Sequence, residues 1–157
     1  MSPGVCLSAL GQEVATSAPS TPDLTLAIGD RGLPWFALAF ALTQIVEVPI
    51  FTRALRGPRP LPARVAIAFG ASALTHPVVW FVMPLVAARL LAASSRVGVS
   101  FDLTGRTLLY GALAEGFAVL AEAAWLRAFG VRRALPWSIA ANAASVIVGT
   151  AVVQTLG

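Results

Sequence analysis

From residue 33 onward the chain alternates between long apolar runs and short breaks rich in arginine, proline and glycine. Each run matches a hydrocarbon layer of about 30 Å at about 1.5 Å per helical residue. The pattern predicts four spans, at 33–55, 63–84, 107–129 and 135–155. The fold class it implies is all-α, an integral membrane four-helix bundle. Residues 1–32 are polar, rich in Ser, Thr, Pro and Gly, and hold no apolar core behind a basic start. They read as a flexible N-terminal tail rather than a signal peptide.

Polar residues inside the spans fall at helical spacings. In the first span Pro34 and Trp35 suit a helix entry at the interface, and Gln44 and Glu47, three apart, are neighbours on one face. Pro49 follows and bends the helix. The second span carries Ser72, Thr75 and His76. Pro77 then frees the carbonyl of Ala73, for which Thr75 or a neighbouring helix is the expected donor. Residues 85–95, flanked by Arg96 and containing Arg89, are either an extension of this helix into the headgroups or a surface helix. The third span has Tyr110 and Trp125 near its ends, and Gly130 marks its stop. Its Glu115 and Glu122 are seven positions apart, so they fall within about 20° of the same helix face. In the fourth, Ser138, Asn142, Ser145 and Gly149 form a small and polar stripe suited to close packing.

The two predicted hairpins resemble each other around their turns. Glu47 leads to Arg53-Ala54-Leu55 as Glu122 leads to Arg127-Ala128-Phe129, and Arg59-Pro60-Leu61-Pro62 matches Arg133-Ala134-Leu135-Pro136. Two pseudo-repeated hairpins would be related by an axis along the membrane normal and would make Glu47 and Glu122 equivalents. Convergence of short arginine-rich turns is the alternative.

Composition sharpens the class. Of 157 residues 57% are hydrophobic and 11% charged, against about 25% charged in soluble domains. All eleven basic residues are arginines, set against seven acids. They cluster at span ends, which fits a topology signal and not a nucleic-acid surface. Seven of them (Arg53, Arg56, Arg59, Arg64, Arg127, Arg132 and Arg133) flank the two hairpin turns, against four (Arg31, Arg89, Arg96 and Arg106) on the other side. In a bacterial inner membrane this places both termini outside the cytoplasm. Cys6 stands alone and forms no internal disulfide.

A charge at mid-membrane costs about 2.5–3.5 kcal/mol on the insertion scale, so intramembrane ionisable groups mark functional positions. The candidates for ion or proton binding are Glu47, His76, Glu115 and Glu122, with Gln44, Ser72, Thr75, Asn142 and Ser145 in support. At about 1.5 Å per residue Glu47, Glu122 and Asn142 lie roughly 9–12 Å from the arginine-rich side and His76 and Glu115 roughly 19 Å, with Gln44 and Ser145 between them. The plain alternative for the amides and hydroxyls is interhelical packing.

Cofactor chemistry finds little footing. His76 with two glutamates has the ligand count of a catalytic zinc, yet neither Glu-x-x-His nor His-Glu-x-x-His occurs. His76 is also the sole histidine, and Met83 lies nearly at the membrane surface, which leaves a b-type haem without a suitable second ligand. Ser72 and His76, four apart, suggest a nucleophile and base only superficially, since a helical serine ordinarily bonds its own backbone.

The pattern Glu47-x-Pro49, Thr75-His76-Pro77-x-x-Trp80, Glu115 with Glu122, and Asn142-x-x-Ser145-x-x-x-Gly149 resembles small four-helix bacterial inner-membrane proteins that carry no assigned activity. The resemblance covers residues 33–157 and implies the topology and the weight of these positions without a mechanism. Three functional expectations follow: a protein that binds or moves a proton or cation, an accessory or scaffold subunit of a larger membrane complex, or an intramembrane metalloenzyme. The expected partners are the lipid bilayer and a second copy or a larger complex, not nucleic acid.

Overall fold

In hydrocarbon every backbone N–H and C=O must be satisfied within the protein, and each apolar run meets that demand as a helix. A computed structural model describes residues 32–156. The tail assigned to 1–32 therefore lies outside the described residues, apart from Gly32. The helices are α1 (Gly32–Ala54), α2 (Leu61–Pro77), α3 (Met83–Arg96), α4 (Leu103–Ala128) and α5 (Ala134–Leu156), and a π-helical turn, Val78–Val82, joins α2 to α3. The expected all-α bundle is what forms. Four continuous helical segments are long and apolar enough to cross a membrane, namely Gly32–Ala54, Leu61–Arg96, Leu103–Ala128 and Ala134–Thr155.

The second segment runs further than its sequence suggests. At 36 residues it extends about 54 Å, well beyond a 30 Å hydrocarbon layer, so α3 carries Arg89 and Arg96 past the apolar region. Of the two readings of residues 85–95, continuation of the helix is the one the structure takes. The π turn makes this possible between two prolines. Met83 N–H bonds the carbonyl of Val78, five residues back. In that register Pro84 would bond Val79, but proline has no N–H to give. The Tyr110 hydroxyl of α4 reaches the Val79 carbonyl instead, at 3.3 Å. Thr75 does not serve Ala73 as expected, because its hydroxyl lies against the carbonyls of Ser72 and Ala71, at 3.2 and 3.3 Å.

The four segments close into a ring. α1 packs against α2 and α5, and α4 packs against the same two helices, so α1 and α4 face each other across the bundle diagonal. An apolar core fills the half of the bundle nearer the turns, with Phe51 and Leu126 fully enclosed among Leu55, Ala68, Ala71, Ala123 and Ala141. Large apolar side chains such as Ile45, Leu74, Leu120 and Ile147 point outward, as lipid-facing surfaces should. The α4–α5 turn is set by Gly130 at φ +85°, where Val131 N–H bonds Leu126 O and Gly130 N–H bonds Arg127 O. This pairing satisfies the last carbonyls of α4 and requires a left-handed residue that glycine supplies. At the other end of α4, Asp102 accepts from Gly105 N–H at 2.8 Å as its N-cap.

Close approach of α2 to α4 depends on Gly70. The Trp125 indole donates to Ile67 O at 2.9 Å, which fixes the ring over Gly70, and a Cβ there would sit 3.0 Å from Trp125 Cζ2. Gly70→Ala is expected to lower thermal stability in detergent by about 1–3 kcal/mol, as overpacking does. Gly116→Ala, where a Cβ meets nothing within 4 Å, should be neutral or gain up to about 1 kcal/mol. Equal melting temperatures for the two variants would show that the Trp125 contact does not set the helix spacing.

Candidate functional site

The ring arrangement decides which polar groups meet. Glu47 lies seven residues before the end of α1 and Glu122 six before the end of α4, so on diagonal helices they reach the bundle axis at one level. Both are 1% exposed, and their carboxyl groups lie within hydrogen-bonding reach of each other. An ionised carboxylate only accepts, so a bond between two carboxyl groups requires a proton on one of them.

Hydroxyls and an amide from α2 and α5 complete the cluster. Ser72 Oγ donates to Glu47 Oε2 at 2.5 Å, and Ser145 Oγ donates to Glu47 Oε1 at 2.8 Å. Glu122 Oε2 accepts from Asn142 Nδ2 at 2.5 Å and from Ser138 Oγ at 3.2 Å, while Thr75 Oγ1 stands 3.2 Å from Oε1. Each of the four carboxyl oxygens thus has a donor. Three of the hydroxyls also have a backbone carbonyl in reach: Asn142 O for Ser145 at 3.0 Å, Val119 O for Ser138 at 2.9 Å, and Ser72 O for Thr75 at 3.2 Å. Such a hydroxyl can turn its proton to the backbone and accept from a protonated carboxyl. The cluster therefore stays satisfied with more than one proton count.

A cavity of ≈ 220 Å³ lies above this cluster. Glu47, Glu122, Thr75, Asn142 and Ser145 line its floor, and His76, Trp80 and Glu115 line its walls. Trp35 and Gly149 mark its upper reach, toward the start of α1 and away from the arginine-rich turns. Below the floor one helical turn brings Phe51 and Leu126, both fully buried, so the cavity is closed on that side. At about 30 Å³ per water it has room for about seven waters or a small organic group.

The upper layer, expected to hold His76 and Glu115 at one depth, does not repeat this cluster. His76 is 9% exposed and packs among aromatic rings, with centroids of Phe36, Phe40 and Trp80 at 5.2, 5.3 and 5.9 Å. Its Nε2 is buried with no hydrogen-bond partner among the described residues. Among the described residues no carboxylate pairs with the ring. Glu115 is exposed where the cavity opens, near enough to Glu47 and Tyr110 to interact with them as a charge. Gln44 does not join at all. Both its amide atoms are buried without a partner and it lines no part of the cavity, since three helical residues turn it about 60° from Glu47. Conversely Ser138, read in the sequence only as part of a packing stripe, belongs to the Glu122 cluster. Its position four residues before Asn142 was the signal.

Among the described residues no three His, Cys, Asp or Glu side chains come together as metal ligands. The zinc set of His76 with two glutamates is therefore not assembled. Fold and site together define a multi-pass membrane protein: a four-helix bundle with a buried pair of carboxyl groups under a small one-sided cavity. Comparison with family models, curated proteins and solved structures finds no match to this chain.

Donor geometry makes Glu122→Gln mild and Glu122→Ala severe. The amide oxygen of a glutamine keeps Asn142 and Ser138, and its NH₂ finds the Thr75 hydroxyl as acceptor, so unfolding in detergent should change by less than about 1 kcal/mol. Alanine leaves a void and strips Glu47 and Asn142 of their partner, with a loss of about 2–4 kcal/mol. A glutamine variant as unstable as the alanine variant would show that the cluster depends on the carboxyl itself.

Proposed function

We propose that the protein binds protons and small cations at the Glu47–Glu122 pair, reached through the cavity from the side opposite the arginine-rich turns. The observation that carries this reading is the convergence of both carboxyl groups on the floor of a cavity, in a cluster whose hydroxyls can serve more than one protonation state. His76 and Glu115 line the way in. The closed, apolar half beneath favours exchange at one membrane face over a continuous channel. In proteoliposomes with a pH-indicator dye in the weakly buffered medium on the cavity side, an acid jump should show protein-dependent uptake of protons from that medium. Glu47→Gln or Glu122→Gln should reduce that uptake by half or more. Uptake unchanged in both of these and in Glu115→Gln would remove the proposal.

One observation favours a second reading, a scaffold or accessory subunit of a larger membrane complex. Every oxygen of the two carboxyls already has a protein donor, as in a clamp holding four helices together. A scaffold needs no proton exchange and leaves the uptake assay flat, and mild-detergent purification then yields a defined partner.

The arginine asymmetry supports a bacterial inner-membrane location with both termini outside the cytoplasm. Native Cys6 precedes the first span and reports this directly. A membrane-impermeant maleimide should label it in intact spheroplasts, and labelling only after lysis would reverse the orientation.

A further inference from the structure

The floor and the walls of the cavity offer different chemistry. Glu47 and Glu122 are engaged by five side-chain donors. The upper groups are not. His76 Nε2 is buried with no partner, on a side chain nine-tenths enclosed. Enclosed among the rings of Phe36, Phe40 and Trp80, this nitrogen lends the cavity no acceptor. Glu115, on the neighbouring wall built by α4, has no hydrogen-bond partner among the described residues. Apart from Thr43, the rest of the upper cavity is mostly apolar and aromatic, with Trp35, Leu38, Leu42, Val79, Trp80 and Val146.

This combination selects among cations. Hard inorganic ions take about six oxygen ligands, and a wall with one carboxylate and the Thr43 hydroxyl offers too few. An ammonium ion carried on a hydrocarbon body needs instead a few directed acceptors, a counter-charge and aromatic surface. Anions are disfavoured by three carboxyl groups around one cavity.

Resting on the cation-binding reading above, we infer that the upper cavity is a binding site for a small organic ammonium ion, its N–H groups directed to the Glu115 carboxylate and its hydrocarbon body against Trp35 and Trp80. The cavity limits the guest to a compact amine. Bound there, the ammonium also faces the Glu47–Glu122 pair, so its charge competes with a proton on the floor.

The full-length protein in nanodiscs of zwitterionic lipid is titrated with benzylammonium, and with benzyl alcohol as the neutral analogue, by tryptophan fluorescence and calorimetry. Trp35 and Trp80 line the cavity while Trp125 and Trp137 sit at the other end of the bundle. Benzylammonium should quench saturably, with most of the change lost in Trp80→Phe, and Glu115→Gln should weaken binding about tenfold or more. Glu115→Asp, which keeps the charge, should retain most of the affinity and shows that a loss in the glutamine variant is not misfolding. Equal affinity for benzyl alcohol, or full affinity in Glu115→Gln, would overturn the inference. Proton uptake by ligand-free protein is measured in parallel. Uptake that depends on Glu47 and Glu122 without benzylammonium binding defeats this inference alone, whereas benzylammonium binding without uptake defeats only the proton-binding reading.

Discussion

Two carboxyl groups that meet on the axis of a bundle in hydrocarbon need a proton between them and donors around them, and the packing of all four spans is tied to supplying both. Glu47 and Glu122 come from diagonal helices, so neither can be satisfied by its own neighbour alone. Ser72 and Thr75 arrive from α2, and Ser138, Asn142 and Ser145 from α5. Each helix therefore reaches the axis through polar atoms that have no equal partner in lipid. Hydrophobic association cannot organise helices in a bilayer, since lipid tails are as apolar as leucine. Directed hydrogen bonds at the centre and close packing below it set the register instead.

Packing supports that centre from one side. Phe51 and Leu126 follow the two glutamates by one helical turn and fill the space beneath them, and the Trp125 indole over Gly70 holds α2 against α4. Tyr110 performs a related task near the other end, reaching a carbonyl that Pro84 leaves without a partner. The polar cluster is thus bounded by contacts that fix where α2 and α4 stand. That leaves the hydroxyl rotors as its mobile parts.

The spans and the lower polar layer were legible in the sequence because both depend on local rules. Apolar length marks a crossing, and helical spacing puts Asn142 and Ser145 on one face. What depends on the three-dimensional arrangement was not legible. Glu115 and Glu122 share a face, but seven residues separate them by about 10 Å along the axis, enough to put one in the wall and the other in the floor. Gln44 and Glu47 are near neighbours on α1, and only the positions of α2 and α5 decide that the glutamate reaches the axis. The π turn between Pro77 and Pro84 depends on Tyr110 approaching from another helix. The aromatic enclosure of His76 is built by Phe36, Phe40 and Trp80, and two of these rings come from another helix.

The plug of Phe51 and Leu126 beneath the carboxyl floor gives the molecule the topology of a cup and not of a pipe. Whatever fills the cup leaves by its own rim, so a resting molecule equilibrates with one compartment and is indifferent to the voltage across the other half of the bilayer. Delivery to the far compartment would demand that two side chains swing out of a close-packed core together, an event whose rarity makes the bundle leak-tight by construction.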